Sequence, residues 1–202
     1  MNDRTQAIEG LALVATLTSV FGEIHPLCDQ VVQRDRDASA KGMHGSHLVY
    51  INDGSPVEEN PWRTGKEGRT CTASAYGRRS VCRHVASYSA VQLASTIVVT
   101  RTLGYRVPAG ALLTGAAINA ITHGILDRRD PLIWLAEKAG KGGYIKHATV
   151  VRKAGEAWPE PVQDVSGPGT ALMELDQAAH RAIGVAAALV TTWITLRKGR
   201  RR

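Results

Sequence analysis

The sequence places a histidine and an aspartate four residues apart in three separate apolar segments. These pairs are His25/Asp29, His123/Asp127 and, in reverse order, Asp176/His180. On an α-helix, positions i and i+4 lie on the same face, with their Cβ atoms about 6 Å apart. An imidazole and a carboxylate held in this way can bind one metal ion together, or they can hydrogen-bond to each other.

A further histidine, His84, opens another apolar segment, so four segments each carry a side chain of the type that binds metals. Helical bundles bind metal ions through such residues when they project inward from facing helices. The candidate ligands are His25, Asp29, His84, His123, Asp127, Asp176 and His180. Seven nitrogen and oxygen ligands exceed the needs of one tetrahedral ion and suit one or two divalent ions, with zinc or manganese expected first. The alternative is a buried network of His–Asp hydrogen bonds that fixes the register of the helices.

The long apolar segments predict helices, because their apolar residues recur with helical spacing. The segments are 6–24, 81–103, 109–127 and a last one that begins near Thr170. The low aromatic fraction of 5% also favours closely packed helices over a β-sandwich. The predicted fold class is therefore all-α, a four-helix-type bundle in a single domain over residues 1–196.

Two irregular stretches interrupt the helices. Residues 42–77 are rich in glycine, proline and charge, and 144–169 form a second loop before the last helix. A long irregular connection in a compact domain usually acts as a lid or is disordered. A short strand is predicted within 47–51, and exposed His44 and His47 are alternative ligands that could join the site from the insertion. Pro26 follows His25 directly and predicts a kink or a restart of the first helix at that point.

The net charge of +7 is concentrated at the C-terminus. Residues 197–202 carry five positive charges, so the rest of the chain has a net charge of only +2. A basic tail of this kind can contact nucleic acid or an anionic membrane surface, or it can be a solvated end.

The three cysteines contain no CxxC pair, which favours a reducing compartment, and no secretory signal is recognised at the N-terminus. The apolar segments are near the lower length limit for a membrane span and contain many Thr, Ser and Gly residues. The sequence thus predicts a cytoplasmic soluble or peripheral bundle. An integral protein remains the alternative, because Arg197 and Lys198 would form a positive flank after a final span.

These motifs resemble an uncharacterised bacterial family of predicted membrane-associated metal-dependent hydrolases. The similarity begins with His25-Pro-Leu-Cys-Asp29-Gln-Val-Val-Gln33, followed by Asp37 and Lys41. It continues with a histidine at the head of the next apolar helix, an apolar HxxxD segment, and a late Asp176-Gln177-Ala-Ala-His180. The resemblance covers all four helices in order, although this chain is less hydrophobic and its insertion is longer. It implies a metal site and, less specifically, hydrolytic activity.

Two functions are compatible with the sequence. In the first, the protein is a metal-dependent hydrolase of a phosphoester or another small molecule, and its ions lower the pKa of bound water. The carboxylates of Asp29, Asp127 and Asp176 would then bridge the ions, hold the ligating imidazoles or act as general base. Lys41, Arg83 and Arg128 are candidates for binding a phosphate. In the second, the bundle is a non-enzymatic structural or partner-binding protein that uses its basic tail to contact nucleic acid or membrane.

Overall fold

Four long helices form the bundle in the computed structural model, which describes residues 3–152 and 162–199. The described α-helices are α1 (Asp3–Leu27), α2 (Asp35–Ala40), α3 (Ala73–Thr102), α4 (Ala109–Leu126), α5 (Asp130–Lys138), α6 (Gly142–Ile145) and α7 (Ala171–Gly199). The predicted all-α bundle, with a long insertion after the first long helix and a second loop before the last, is confirmed.

The long helices α1, α3, α4 and α7 pack in that order around a ring, and α7 closes the ring against α1. Neighbouring helices run antiparallel. At one end, the Tyr105 hydroxyl after α3 donates to Glu9 Oε1 of α1 at 2.7 Å. At this end the core is apolar and includes Leu13, Leu17 and Phe21. The opposite end brings together the C-termini of α1 and α4 with the N-terminal halves of α3 and α7.

Two small antiparallel ribbons lie in the connections of the described chain. Strand β1 (Leu48–Tyr50) pairs with β2 (Thr70–Thr72) inside the insertion, and β3 (Val150–Arg152) pairs with β4 (Val162–Asp164) before α7. The strand predicted within 47–51 is thus present. The insertion folds back on the bundle, because Val49 and Tyr50 are buried with Tyr76 at the start of α3.

Helix α3 begins at Ala73, well before the predicted start near Val81. Thr72 caps it, since its Oγ1 accepts the backbone N–H of Ala75 at 3.2 Å. An N-cap of this kind satisfies one of the free donors at a helix start. The irregular insertion is therefore shorter than the composition of 42–77 suggested.

The kink predicted at His25 is wrong in position, because the first helix departs from regular α-helical geometry only after Leu27. Helix α1 continues through Pro26 to Leu27 and then widens into a π-helical turn, Cys28–Val32. The Gln33 N–H donates to the Cys28 carbonyl at 2.8 Å, which is the i+5 bond of a π-helix. Proline removes one hydrogen bond from the helix, and π-turns are frequent at functional sites. Here the turn contains Asp29.

The stripe of α3 that faces the bundle is polar. Helical periodicity in the sequence predicts a stripe of His84, Tyr88, Val91, Ser95 and Val98, and its first two residues are indeed buried. Val98 is 63% exposed. The buried stripe is His84, Tyr88, Gln92, Thr96 and Thr100. From Tyr88 onward these side chains are hydrogen-bonded: Gln92 donates to the Tyr88 hydroxyl and accepts from Asn119 of α4 at 3.2 Å, and each threonine donates to a carbonyl four residues earlier. Burial of such groups is tolerated because they are hydrogen-bonded.

Replacing two helical glycines by alanine is expected to change the free energy of unfolding in opposite directions. A Cβ at Gly115 would overlap Thr191 Oγ1 where α4 meets α7, whereas a Cβ at Gly22 would meet nothing within 4 Å. Gly115→Ala should lower the free energy of unfolding by about 1–3 kcal/mol through overpacking. Gly22→Ala should raise it by up to about 1 kcal/mol through helix propensity. Thermal unfolding of both variants measures this difference, and equal effects would contradict the close approach of α4 and α7.

Candidate metal centre

The seven predicted ligand residues lie together at the end of the bundle where α1, α3, α4 and α7 meet. They are His25, Asp29, His84, His123, Asp127, Asp176 and His180. The four histidines are buried and come from four different helices. The structure therefore brings all of these side chains to one point, as the i, i+4 pairs required.

Two imidazoles form the centre of the cluster. His84 Nε2 lies 2.8 Å from His123 Nε2 and 2.9 Å from Asp29 Oδ1. His123 Nε2 is also 3.2 Å from Asp127 Oδ2, its i+4 partner on α4. Four ligand-type atoms from three elements thus converge, each within 3.2 Å of at least one other.

The other two histidines stack beside this centre. The rings of His25 and His180 are 4.2 Å apart, and the His180 ring is 4.4 Å from that of His123. His180 Nδ1 lies 2.9 Å from the backbone oxygen of Asp176, so an N–H at this position donates to that carbonyl. This hydrogen bond leaves Nε2 of His180 as the nitrogen with a free lone pair, which is the state in which histidine binds a metal.

Three overlapping triads have ligand atoms that lie within 4.8 Å of one another. They are His25/His123/His180, Asp29/His84/His123 and Asp127/Asp176/His180. His123 and His180 each belong to two triads, so the sets adjoin. Such adjacency can accommodate two neighbouring ions that share ligands.

Several of these buried atoms have no hydrogen-bond partner among the described residues. They include His25 Nε2, Asp29 Oδ1, Asp127 Oδ2, His180 Nε2 and the Nδ1 atoms of His84 and His123. The short contacts of Asp29 Oδ1 and Asp127 Oδ2 with imidazoles lack hydrogen-bond geometry. A buried unpaired polar group costs about 1–3 kcal/mol. Nδ1 of His84 and of His123 lies on the side of each ring away from the Nε2 atoms that meet at the centre. A cation held by the two carboxylate oxygens and by Nε2 of His25 and His180 would remove the cost for those four atoms, so the donor set fits a metal ion.

The charge balance also favours a divalent cation. Lys41 Nζ lies 3.3 Å from Asp127 Oδ1. Burial opposes the charge on each group, but His123 and Lys41 hold the pKa of Asp127 well below its usual range. The charges of Asp127, Asp29 and Asp176 outweigh burial and raise the pKa of Lys41. With neutral imidazoles, three carboxylates and one ammonium leave a formal charge of −2 at the centre.

Two residues of the cluster were not identified as site residues from the sequence. Gln177 joins two ligand residues: its Oε1 lies 3.2 Å from His25 Nδ1, and its Nε2 donates to Asp29 Oδ2 at 3.1 Å. Tyr88 lies on the buried stripe of α3, and its ring centroid is 4.5 Å from that of His123. The signal for Gln177 was its place inside the Asp-Gln-x-x-His motif, and that for Tyr88 was its i+4 spacing from His84.

The candidate phosphate-binding residues are placed differently from one another. Lys41 is at the centre. Arg83 instead pairs with the buried Asp37 and with Ser80, and so attaches α2 to α3. Arg128 donates to two backbone carbonyls of the insertion. Lys41 is therefore the cation of the three that contacts the ligand carboxylates.

The other predicted features lie away from this centre. His44 lies 3.5 Å from the exposed Asp130 carboxylate, and His47 is exposed in the insertion; neither belongs to a triad within the described chain. Helix α7 continues through Gly199, so the first three residues of the predicted tail are helical, and 200–202 lie outside the described residues.

Three helical stretches are long and apolar enough to cross a membrane, namely Arg4–Val32, Ala109–Leu126 and Ala171–Arg197. This property is compatible with membrane association.

Comparison with known proteins gives no match to a family model, to a curated protein or to a solved structure. The function is therefore inferred from the chemistry of the site and from the surface around it.

Proposed function

We propose that the protein is a metal-dependent hydrolase of a phosphoester, with one or two divalent ions held by the histidines and aspartates of the four long helices. The observation that carries this proposal is the convergence of buried ligand residues from different helices, several of whose atoms have no hydrogen-bond partner among the described residues. A bundle stabilised only by its core would not need four imidazoles and three carboxylates at one point, because burying them is costly. The resemblance to predicted metal-dependent hydrolases points to the same class.

A divalent ion at this centre would polarise a phosphoryl oxygen and promote attack by water. Lys41 is suited to attract and orient the anionic group, because its ammonium lies at the edge of the carboxylate set. Among the carboxylates, the side chain of Asp176 is 19% exposed, compared with 8% for Asp29 and 0% for Asp127. We therefore assign Asp176 the role of general base, since it is the one that solvent can reach.

We further propose that the bundle is embedded in a membrane with the metal centre near one boundary. Exposed ionisable residues of the long helices lie toward the two ends of the bundle. Glu23, Arg83 and Arg181 lie beside the centre, with Arg78, Arg79 and Glu174 beyond them, and Arg4, Arg101 and Arg197 lie at the opposite end. Between these two levels the exposed positions of the described helices carry no Asp, Glu, Lys or Arg, and the half-buried Glu9 is paired with Tyr105. From Arg181 to Arg197, α7 rises about 24 Å. That length approaches the hydrocarbon thickness of about 30 Å, and long arginine side chains can extend to the interface.

The distribution of polar residues agrees with this placement. Buried positions include Thr96, Asn119 and Thr191, whereas Leu113, Ile121 and Leu189 are exposed. A soluble bundle buries its aliphatic side chains, because this removes apolar surface from water. In lipid, small and polar residues lie between the helices and large apolar residues face outward. Trp193, exposed near the Arg197 level, also suits an interfacial position.

Metal analysis of the purified protein tests the enzymatic proposal. The protein should retain at least one zinc or manganese ion per chain and should hydrolyse a phosphomonoester only in the metal-loaded form. His123→Ala should lower metal affinity by at least about 100-fold, because it removes an imidazole that belongs to two triads. His47→Ala, which removes an exposed histidine of the insertion, serves as the matched control.

Equal metal content in His123→Ala and in the unsubstituted protein would rule out this centre. If metal binds as expected but no ester is hydrolysed, the site remains a metal site and the hydrolase assignment fails.

A further inference from the structure

A groove runs along the outer surface between α3 and α4, separate from the metal centre. Its volume is about 530 Å³, and much of its wall is apolar, with Val81 and Val85 on α3 and Ile121 on α4. Gly124 keeps it open, because a Cβ there would reach Val81 and Val85 at 3.8 Å. His84, between the two valines in sequence, faces the bundle interior. The groove and the centre therefore lie on different faces of α3.

One end of the groove is basic. Arg78 and Arg128 both line it there, so two positive charges adjoin at this end. Arg78 is exposed and makes no hydrogen bond or ion pair within the part of the chain that the structure describes. The Asp130 carboxylate also acts on Arg128, but no Asp or Glu of the described chain lines the groove, so the two guanidinium groups form a favourable site for an anion.

The position of Arg128 is fixed by the fold. Its Nη1 donates to the Lys41 carbonyl and its Nη2 to the Met43 carbonyl, each at 2.8 Å. A Cβ at Gly77 would overlap Nη1, so the absence of a side chain at this position makes room for the guanidinium. These carbonyls orient Arg128 but do not neutralise its charge. The basic end is thus partly preorganised before any ligand arrives.

We propose that this groove binds one anionic phospholipid, with an acyl chain along Val85 and Ile121 and the phosphate between Arg78 and Arg128. The proposal rests on the membrane placement given above. Charge complementarity selects an anionic head group, and the apolar wall continues into the outward-facing surface of α4, where Ile121 and Ile125 are exposed. Arginine binds phosphate through paired N–H groups, and basic pockets between membrane helices bind anionic lipid head groups. The bound lipid would join the two helices that supply His84 and His123.

Native mass spectrometry of the full chain, released from detergent micelles, tests this proposal. The probes are phosphatidylglycerol and phosphatidylcholine with identical acyl chains, and the variants are Arg78→Gln and the control Arg79→Gln. Arg79 is an exposed neighbour on α3 that does not line the groove. One basic residue near a lipid phosphate contributes about fivefold in affinity. The unsubstituted protein should thus bind phosphatidylglycerol about 25-fold more tightly than phosphatidylcholine. This preference should fall to about fivefold in Arg78→Gln and should be unchanged in Arg79→Gln.

Equal binding of the two lipids by the unsubstituted protein would overturn the proposal. An equal loss of the preference for phosphatidylglycerol in both variants would also overturn it, because it would indicate diffuse surface charge. Equal competition by glycerol phosphate would overturn the role of the acyl chain. Metal content measured on the same samples should not change in Arg78→Gln, so a failed lipid result is separable from a failed metal site. A protein that stays monomeric in buffer without detergent would instead refute the membrane placement itself.

Discussion

Asp127→Asn is expected to abolish most of the stabilisation that metal confers, while leaving the metal-free fold intact. The side chain of Asp127 is fully buried and lies 3.2 Å from His123 Nε2 and 3.3 Å from Lys41 Nζ. Asparagine keeps its shape but removes the charge that attracts the cation. The metal-free variant should still fold but should be less stable than the unsubstituted protein, because the charge of Asp127 pairs with Lys41 and its pKa is held low in the folded state.

The size of the effect follows from binding linkage. At a metal concentration about 1,000 times the dissociation constant, a bound ion adds about 4 kcal/mol to the free energy of unfolding. A variant with about 100-fold weaker affinity gains only about 1.4 kcal/mol at the same concentration. Thermal unfolding with and without added zinc or manganese measures both quantities.

Asp130→Asn provides the control, since Asp130 is nearby in sequence but its side chain is 71% exposed. It should keep the full metal-dependent shift. If added metal raises the stability of Asp127→Asn as much as that of the control, Asp127 is not a ligand. The cluster would then be closer to the hydrogen-bonded network that was the alternative reading of the sequence.

Leu189→Arg is expected to prevent stable insertion of the protein into membranes. Leu189 lies midway between Arg181 and Arg197 on α7 and is 55% exposed. An arginine at the centre of a spanning helix costs about 3 kcal/mol in insertion free energy. The amount of protein recovered in the membrane fraction after carbonate washing should therefore fall sharply.

The matched control is Leu48→Arg, which adds the same charge at an exposed leucine of β1, outside the long helices. Its membrane fraction should be unchanged. In a soluble bundle, both substitutions would be tolerated and would raise solubility, because an exposed leucine contributes little to stability in water. Equal recovery of the two variants in the soluble fraction would therefore exclude the membrane placement.

Much of the site was predictable because it depends on local geometry. The spacing of His25/Asp29, His123/Asp127 and Asp176/His180 fixes each pair on one helical face without knowledge of the fold. The four long helices followed from their apolar residues in the same way. The capping Thr72 before α3 was not predicted, because the first residues of α3 lie within the glycine-rich stretch 42–77, where helical periodicity is weak.

The orientation of the helices was less predictable. The reading of α3 assumed that apolar residues face the core, and it therefore placed Val98 on the inner stripe. The structure buries Thr96 and Thr100 and exposes Val98. Helical periodicity identifies two faces but not which one is inside, and that choice depends on the solvent around the bundle.

The sequence by itself determined that four helices carry ligand-type side chains at spacings that keep each pair together. Only the tertiary structure decided that His84 and His123 meet, that Gln177 joins His25 to Asp29, and that Lys41 reaches Asp127. Contacts between residues i and i+4 are set by the helix repeat, so they follow from the spacing of the residues in the sequence. Contacts between distant residues depend on how the helices pack around the ring, and no local rule encodes that arrangement.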